Sequence, residues 1–139
     1  MIELSTCWTS KTARSADELL GPILDLGFEG VELEFRITER LYQEVLPLLR
    51  AHGVRVLSIH NYFPLPEILP PEKAGGDCFS LSSLDSEERE RGVYYTCRTL
   101  EFAHELEARV VVLHLGMVET GLPRDGLRRL YRDGRWEQE

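Results

Sequence analysis

The chain has 139 residues, 42% of them hydrophobic and 29% charged, the proportions of a soluble globular protein long enough to bury its own core. No apolar run reaches the ~18 residues a membrane span needs, and the opening Met1-Ile2-Glu3-Leu4-Ser5 lacks the basic and apolar regions of a secretory signal, so a cytoplasmic location is expected. A net charge of −8 argues against general affinity for nucleic acid, whose phosphates demand a basic surface.

The chain alternates strand and helix patterns. Ile2 to Cys7 reads as a short strand. Ser15 with Glu18 has capping-box form, and Leu19, Leu20, Ile23, Leu24 and Leu26 give the following helix an apolar face that Gly27 ends; Pro22 sits awkwardly inside it. Gly30 to Phe35 alternates strictly, with Val31, Leu33 and Phe35 on one face and Glu32 and Glu34 on the other. Thr38 opens a second helix through Leu41, Val45, Leu48 and Leu49, weakened in its middle by Pro47 and closed by Gly53. Val54 to Asn61 is a third strand, with Val56, Ser58 and His60 expected on one face and Leu57 and Ile59 on the other. Residues 62–84, rich in proline and glycine, form a long loop of the kind that serves as a lid or binding loop or stays disordered.

Asp85 and Glu88 announce a third helix to about Ala108, with Val93, Cys97, Leu100 and Ala103 on its apolar face. Val110 to Leu115 is a fourth strand, apolar almost throughout, as suits a parallel strand covered on both sides. Residues 119–139 form a charged, incomplete tail in which Leu127, Leu130 and Tyr131 start a helix that nothing completes. The expectation is one α/β domain over residues 1–139, with about four parallel strands and flanking helices. Cys7, Cys78 and Cys97 are odd in number and form no C-x-x-C pair, which fits small hydrophobes in a reducing compartment.

In parallel α/β proteins the chemistry sits at the carboxyl ends of the strands. Those positions hold Glu32 and Glu34, then His60 and Asn61, then His114. Alternation turns the two glutamates and the two histidines away from the helices, toward one central cavity, where imidazoles and carboxylates suit a divalent metal or acid–base chemistry. Each has a plainer alternative: a strand-end histidine also serves as a hydrogen-bonded rim residue, Glu32 as half of a structural ion pair, and Glu34 as a solvated side chain beyond the strand. Trp8, just after the first strand, either walls a pocket or anchors its loop. His52 reads as a surface residue at a helix end and His104 as a packed helix residue.

At Leu26-Gly27-Phe28-Glu29-Gly30-Val31-Glu32-Leu33, Ser58-Ile59-His60 and Val112-Leu113-His114-Leu115-Gly116, the sequence resembles the xylose isomerase-like barrel superfamily of sugar phosphate isomerases, epimerases and apurinic endonucleases. The resemblance implies a partial (β/α)₈ TIM barrel, a small sugar substrate, and a divalent ion (Mn, Mg, Zn or Co) at the C-terminal face. It makes His60 and His114 candidate metal ligands, and Trp8, Glu32, Glu34 and Asn61 candidate substrate contacts. It assigns no catalytic residue, because the proton-transferring glutamates of such enzymes lie in the second half of the barrel. A full barrel takes about 250 residues, so the expectation is a truncated first half, inactive alone, or one that pairs with another copy or a second half. The resemblance leaves two other readings: phosphodiester cleavage at abasic DNA, which the acidic balance disfavours, and a non-catalytic module that works by pairing.

Overall fold

The computed structural model describes residues 2–116 and 122–135. Four strands, β1 (Glu3–Ser5), β2 (Gly30–Leu33), β3 (Arg55–His60) and β4 (Val110–Val112), form one parallel sheet in the order β1-β2-β3-β4. A short helix α1 (Cys7–Ser10) follows β1, a turn that the sequence pattern assigned to the strand. Helices α2 (Ala16–Asp25), α3 (Glu39–His52) and α4 (Ser86–Glu105) carry the chain between successive strands, and α5 (Arg124–Arg132) buries none of its residues. None of these helices is long and apolar enough to cross a membrane.

The helix ends form where cap chemistry puts them. Ser15 accepts the Glu18 N–H, although Glu18 takes the Arg14 N–H rather than that of Ser15. Thr38 accepts the Leu41 N–H, and Gly53 closes α3 in the left-handed conformation at φ +63°. Asp85 caps α4 through the Glu87 N–H, which frees Glu88 to hold the preceding loop through Ser80 N–H and the Ser83 hydroxyl.

The core lies between one face of the sheet and the first two long helices. Leu19, Leu20 and Ile23 of α2, Val45 of α3, Val31 and Leu33 of β2, and Ile59 of β3 are fully buried there. Each such side chain contributes roughly 1.5–3 kcal/mol of burial. The other face of the sheet is polar. The Ser5 hydroxyl donates to Glu32 at 2.6 Å, and Ser58 Oγ lies 3.0 Å from Glu3 and 3.2 Å from Glu32. Strict alternation along β3 does not hold. The pairing shifts between Val31 and Glu32, so that Val31 meets Val56 while Glu32 meets Ser58. Val56 therefore joins the helix-side core with Ile59, and Leu57 turns toward the close approach at Gly30, where a β-carbon would lie 2.7 Å from Leu57 Cδ1.

The long loop is a packed segment. Tyr62, Phe63, Leu65 and Phe79 are buried, and a three-residue helical turn occupies Pro71–Lys73. The Asn61–Tyr62 and Phe63–Pro64 peptide bonds are cis. Phe79 stacks on Tyr95 of α4 with ring centroids 5.4 Å apart, and the Tyr62 hydroxyl donates to the Phe79 carbonyl at 2.7 Å. The stack lies on the buried face of α4. Gly92, Tyr95, Thr99 and Ala103 face the protein, whereas Val93, Cys97 and Leu100 of the expected apolar stripe are exposed, as is His104. The reason is the hydrogen-bonding demand of the loop: Thr99 donates to Asn61 Oδ1 at 2.8 Å and accepts the Phe63 N–H at 2.9 Å. β4 is an edge strand among the described residues, with Val110 54% exposed instead of covered on both sides.

Replacing Thr99 by valine keeps the shape and leaves the Phe63 N–H and Asn61 Oδ1 without their partner; urea unfolding is expected to show a loss of about 1–3 kcal/mol. Burial raises the Tyr62 phenol from 10.0 to about 12. A raised folded-state pKa means that the stability tied to the neutral phenol is complete below pH 10 and declines as pH climbs to about 12. Denaturation midpoints followed from pH 9 to 12 should fall more steeply for the parent than for Tyr62→Phe, about in proportion to that shift.

Candidate active site at the strand tips

β3 ends on His60, and His114 stands two residues beyond the end of β4, so both imidazoles occupy the carboxyl rim of the sheet. Their ring centroids are 5.1 Å apart. His60 Nδ1 lies 2.7 Å from the Asn61 carbonyl, which only accepts, so Nδ1–H donates to it and Nε2 is the ring nitrogen left outside this bond. His114 Nδ1 faces Asp77 Oδ1 at 3.0 Å. Among the described residues neither Nε2 has a hydrogen-bond partner. The loop residue Gly76 is packed against both rings: a β-carbon there would lie 2.7 Å from His60 Cε1 and 3.0 Å from His114 Nδ1. The 62–84 loop thus reaches back over the strand tips and presses the two rings together.

The glutamates separate. Glu32 lies deeper, in the polar face with Ser5 and Ser58. Glu34 is not solvated as an end-of-strand residue would be; it is 0% exposed, pairs with Arg36 Nη1 at 2.9 Å, and takes the Arg36 N–H at 3.0 Å. Burial raises its pKa against the opposing effects of Ser10, Arg36 and His60. The backbone turns inward here because the Thr6 hydroxyl accepts the Glu34 N–H. Asn61 is also buried, but its amide is spent on α4: the NH₂ donates to Thr96 and the oxygen accepts from Thr99. Trp8, on α1, is 58% exposed. Arg36, Gly76 and Asp77 join the site without having been marked in the sequence, and Phe35, expected beside Val31 and Leu33 on the helix side, turns to His60 instead because β2 ends at Leu33 and the alternation does not reach it. Phe35 packs edge-on to His60 at 4.9 Å, and the Arg36 guanidinium lies over the Phe35 ring at 4.6 Å. An arginine two residues after a strand-end glutamate was the available signal for that pair.

Imidazole nitrogens accept several divalent ions. The two rings supply two donors, and among the described residues no group of three His, Cys, Asp or Glu side chains stands close enough to hold an ion. Two donors do not by themselves make a metal site.

A parallel sheet with crossover helices over one face, and a polar opposite face that ends in two imidazoles at adjacent strand tips, has the architecture of a partial (β/α)₈ barrel. The sequence family described as xylose isomerase-like TIM barrel matches residues 21–136, and the chain belongs to that family. No curated protein and no solved structure matches the chain.

Gly76→Ala inserts a methyl group between the imidazoles. It is expected to cost about 1–3 kcal/mol in chemical denaturation and to remove the nuclear Overhauser contact between the His60 and His114 rings. An unchanged ring-to-ring contact would show that Gly76 does not set their spacing.

Proposed function

We propose that the protein acts on a small sugar or sugar phosphate as an isomerase or epimerase, with the tips of β2, β3 and β4 lining the substrate site. The observation that carries this reading is the His60–His114 pair, held at adjacent strand tips under Gly76 with both Nδ1 atoms engaged. Imidazoles beside carboxylates bind hydroxyl groups and hold protons near neutral pH. In this reading Glu32 and the exposed Trp8 contact substrate, whereas Glu34 and Asn61 act from behind, Glu34 by fixing Arg36 and Asn61 by fixing the turn after His60. His60 and His114 would offer Nε2 to a divalent ion (Mn, Mg, Zn or Co), which needs further donors beyond this pair. Such an ion supplies Lewis-acid polarisation of sugar oxygens. No proton-transferring group is assigned among the described residues.

Titration with Zn(II) or Co(II), followed through the imidazole NMR signals, tests the pair. Both rings should respond together, and His60→Ala should weaken the response of His114 by about tenfold or more, the loss of one of two donors. A response confined to one ring, or an equal response after His60→Ala, would overturn the shared-donor reading. Turnover of a sugar panel by this chain alone would show that the chain carries its own catalytic groups.

A further inference from the structure

We infer that Asp77, on the long loop, is the positioning residue of His114: its carboxylate keeps the ring proton on Nδ1 and so makes Nε2 the nitrogen that His114 presents at the rim. The inference deepens the proposed function and rests on it only for what that nitrogen goes on to bind. Asp77 Oδ1 lies 3.0 Å from His114 Nδ1. A carboxylate oxygen only accepts, and so does a ring nitrogen that bears a lone pair. Two acceptors at that distance repel, so the neutral His114 ring holds its proton on the nitrogen that faces Asp77.

The two imidazoles reach the same state by different means. His60 Nδ1–H meets the carbonyl of Asn61, the next residue in the chain, so its acceptor comes with the strand end itself. His114 takes its acceptor from a separate segment, the 62–84 loop. The rings, with centroids 5.1 Å apart, thus leave the same nitrogen outside these contacts, although their neighbours in sequence differ. An acceptor on the second ring nitrogen fixes the orientation of an imidazole and raises its strength as a donor.

The loop grips the exit of β4 at two points, ring and backbone. Gly76 packs against both imidazoles, so the chain just before Asp77 has no slack. Gly116, at φ +99°, passes against the same loop, where a β-carbon would collide with the hydroxyls of Ser80 and Ser82. Glu88 of α4 holds that stretch of loop through the Ser80 N–H at 3.0 Å and the Ser83 hydroxyl at 2.8 Å. The Asp77 side chain is itself 72% exposed and that of His114 43%. An ion pair so exposed contributes little to stability. The carboxylate therefore acts on the tautomer and orientation of the ring, and the glycines and Glu88 hold the loop.

Nitrogen-15 NMR of the full chain, without metal and at a pH of about 9 where an ordinary imidazole is neutral, reads the tautomer of each ring. In the parent, His60 and His114 should both carry the proton on Nδ1, while the exposed His52 and His104 report the tautomer mixture of a histidine in water. Asp77→Ala should move His114 to that mixture, leave His60 on Nδ1, keep the Overhauser contact between the two rings, and leave the urea midpoint unchanged. A parent His114 in the same mixture as His52, or a His114 tautomer unaltered in Asp77→Ala, would overturn the inference. Loss of the ring-to-ring contact in Asp77→Ala, together with shifted signals from the buried Phe79, would also overturn it, since Asp77 would then be a support of the loop. The spectra stand apart from the Zn(II) titration. Rings that ignore Zn(II) would sink the shared-donor reading and leave Asp77 in its role, and unaltered tautomers in Asp77→Ala would sink this inference and leave the shared donors untouched.

Discussion

Burial of Val31, Leu33 and Ile59 beneath α2 and α3 is the contact on which the other features depend. A strand shows its side chains to two faces. Once the helices claim the apolar set, Glu32, Ser58 and His60 have only the opposite face to occupy. Polar groups on that face are tolerable because they hydrogen-bond to one another. Ser58 Oγ stands between Glu3 and Glu32, but a single hydroxyl proton serves one carboxylate at a time, and Glu3 Oε2 is buried with no hydrogen bond at all. Among the described residues this face holds more acceptors than donors.

The rim is built by a different device. The loop after β3 is anchored at both ends to α4, through Asn61 and Phe63 on Thr99 and through Ser80 and Ser83 on Glu88. Between these anchors Gly76 and Asp77 are delivered to the two imidazoles. The loop, the histidines and α4 thus form one mechanical unit, and the buried Tyr62–Phe79–Tyr95 cluster gives it a small core separate from the main one. The Glu34–Arg36 pair has a comparable role on the other side. With one partner fully buried and the other partly exposed, it fixes the guanidinium over Phe35 at a distance from His60 that Phe35 itself sets.

The exposed apolar residues follow the edges of the sheet. Ile2 and Leu26 lie toward the β1 side, and Val110, Leu113 and Leu115 belong to the β4 strand and its exit. Val93 and Leu100 mark the outer face of α4. A parallel strand with an exposed valine and unpaired backbone groups is a surface that other elements of a barrel cover.

By itself the sequence determined the order of elements, their caps and the polar-against-apolar pattern of β2, because these depend on residues a few positions apart. Ser15, Thr38, Asp85 and Gly53 act where local hydrogen bonding and backbone freedom dictate, and His60 and His114 reach the rim because strand ends are local facts. Tertiary structure alone decided the shift in register at Ser58, the burial of Glu34, the diversion of Asn61 to α4 and the choice of α4's inner face. Each of these turns on a partner tens of residues away: Gly30 making room for Leu57, Arg36 and Thr6 holding Glu34 inward, and Thr99 meeting the polar groups of a loop that no periodicity describes.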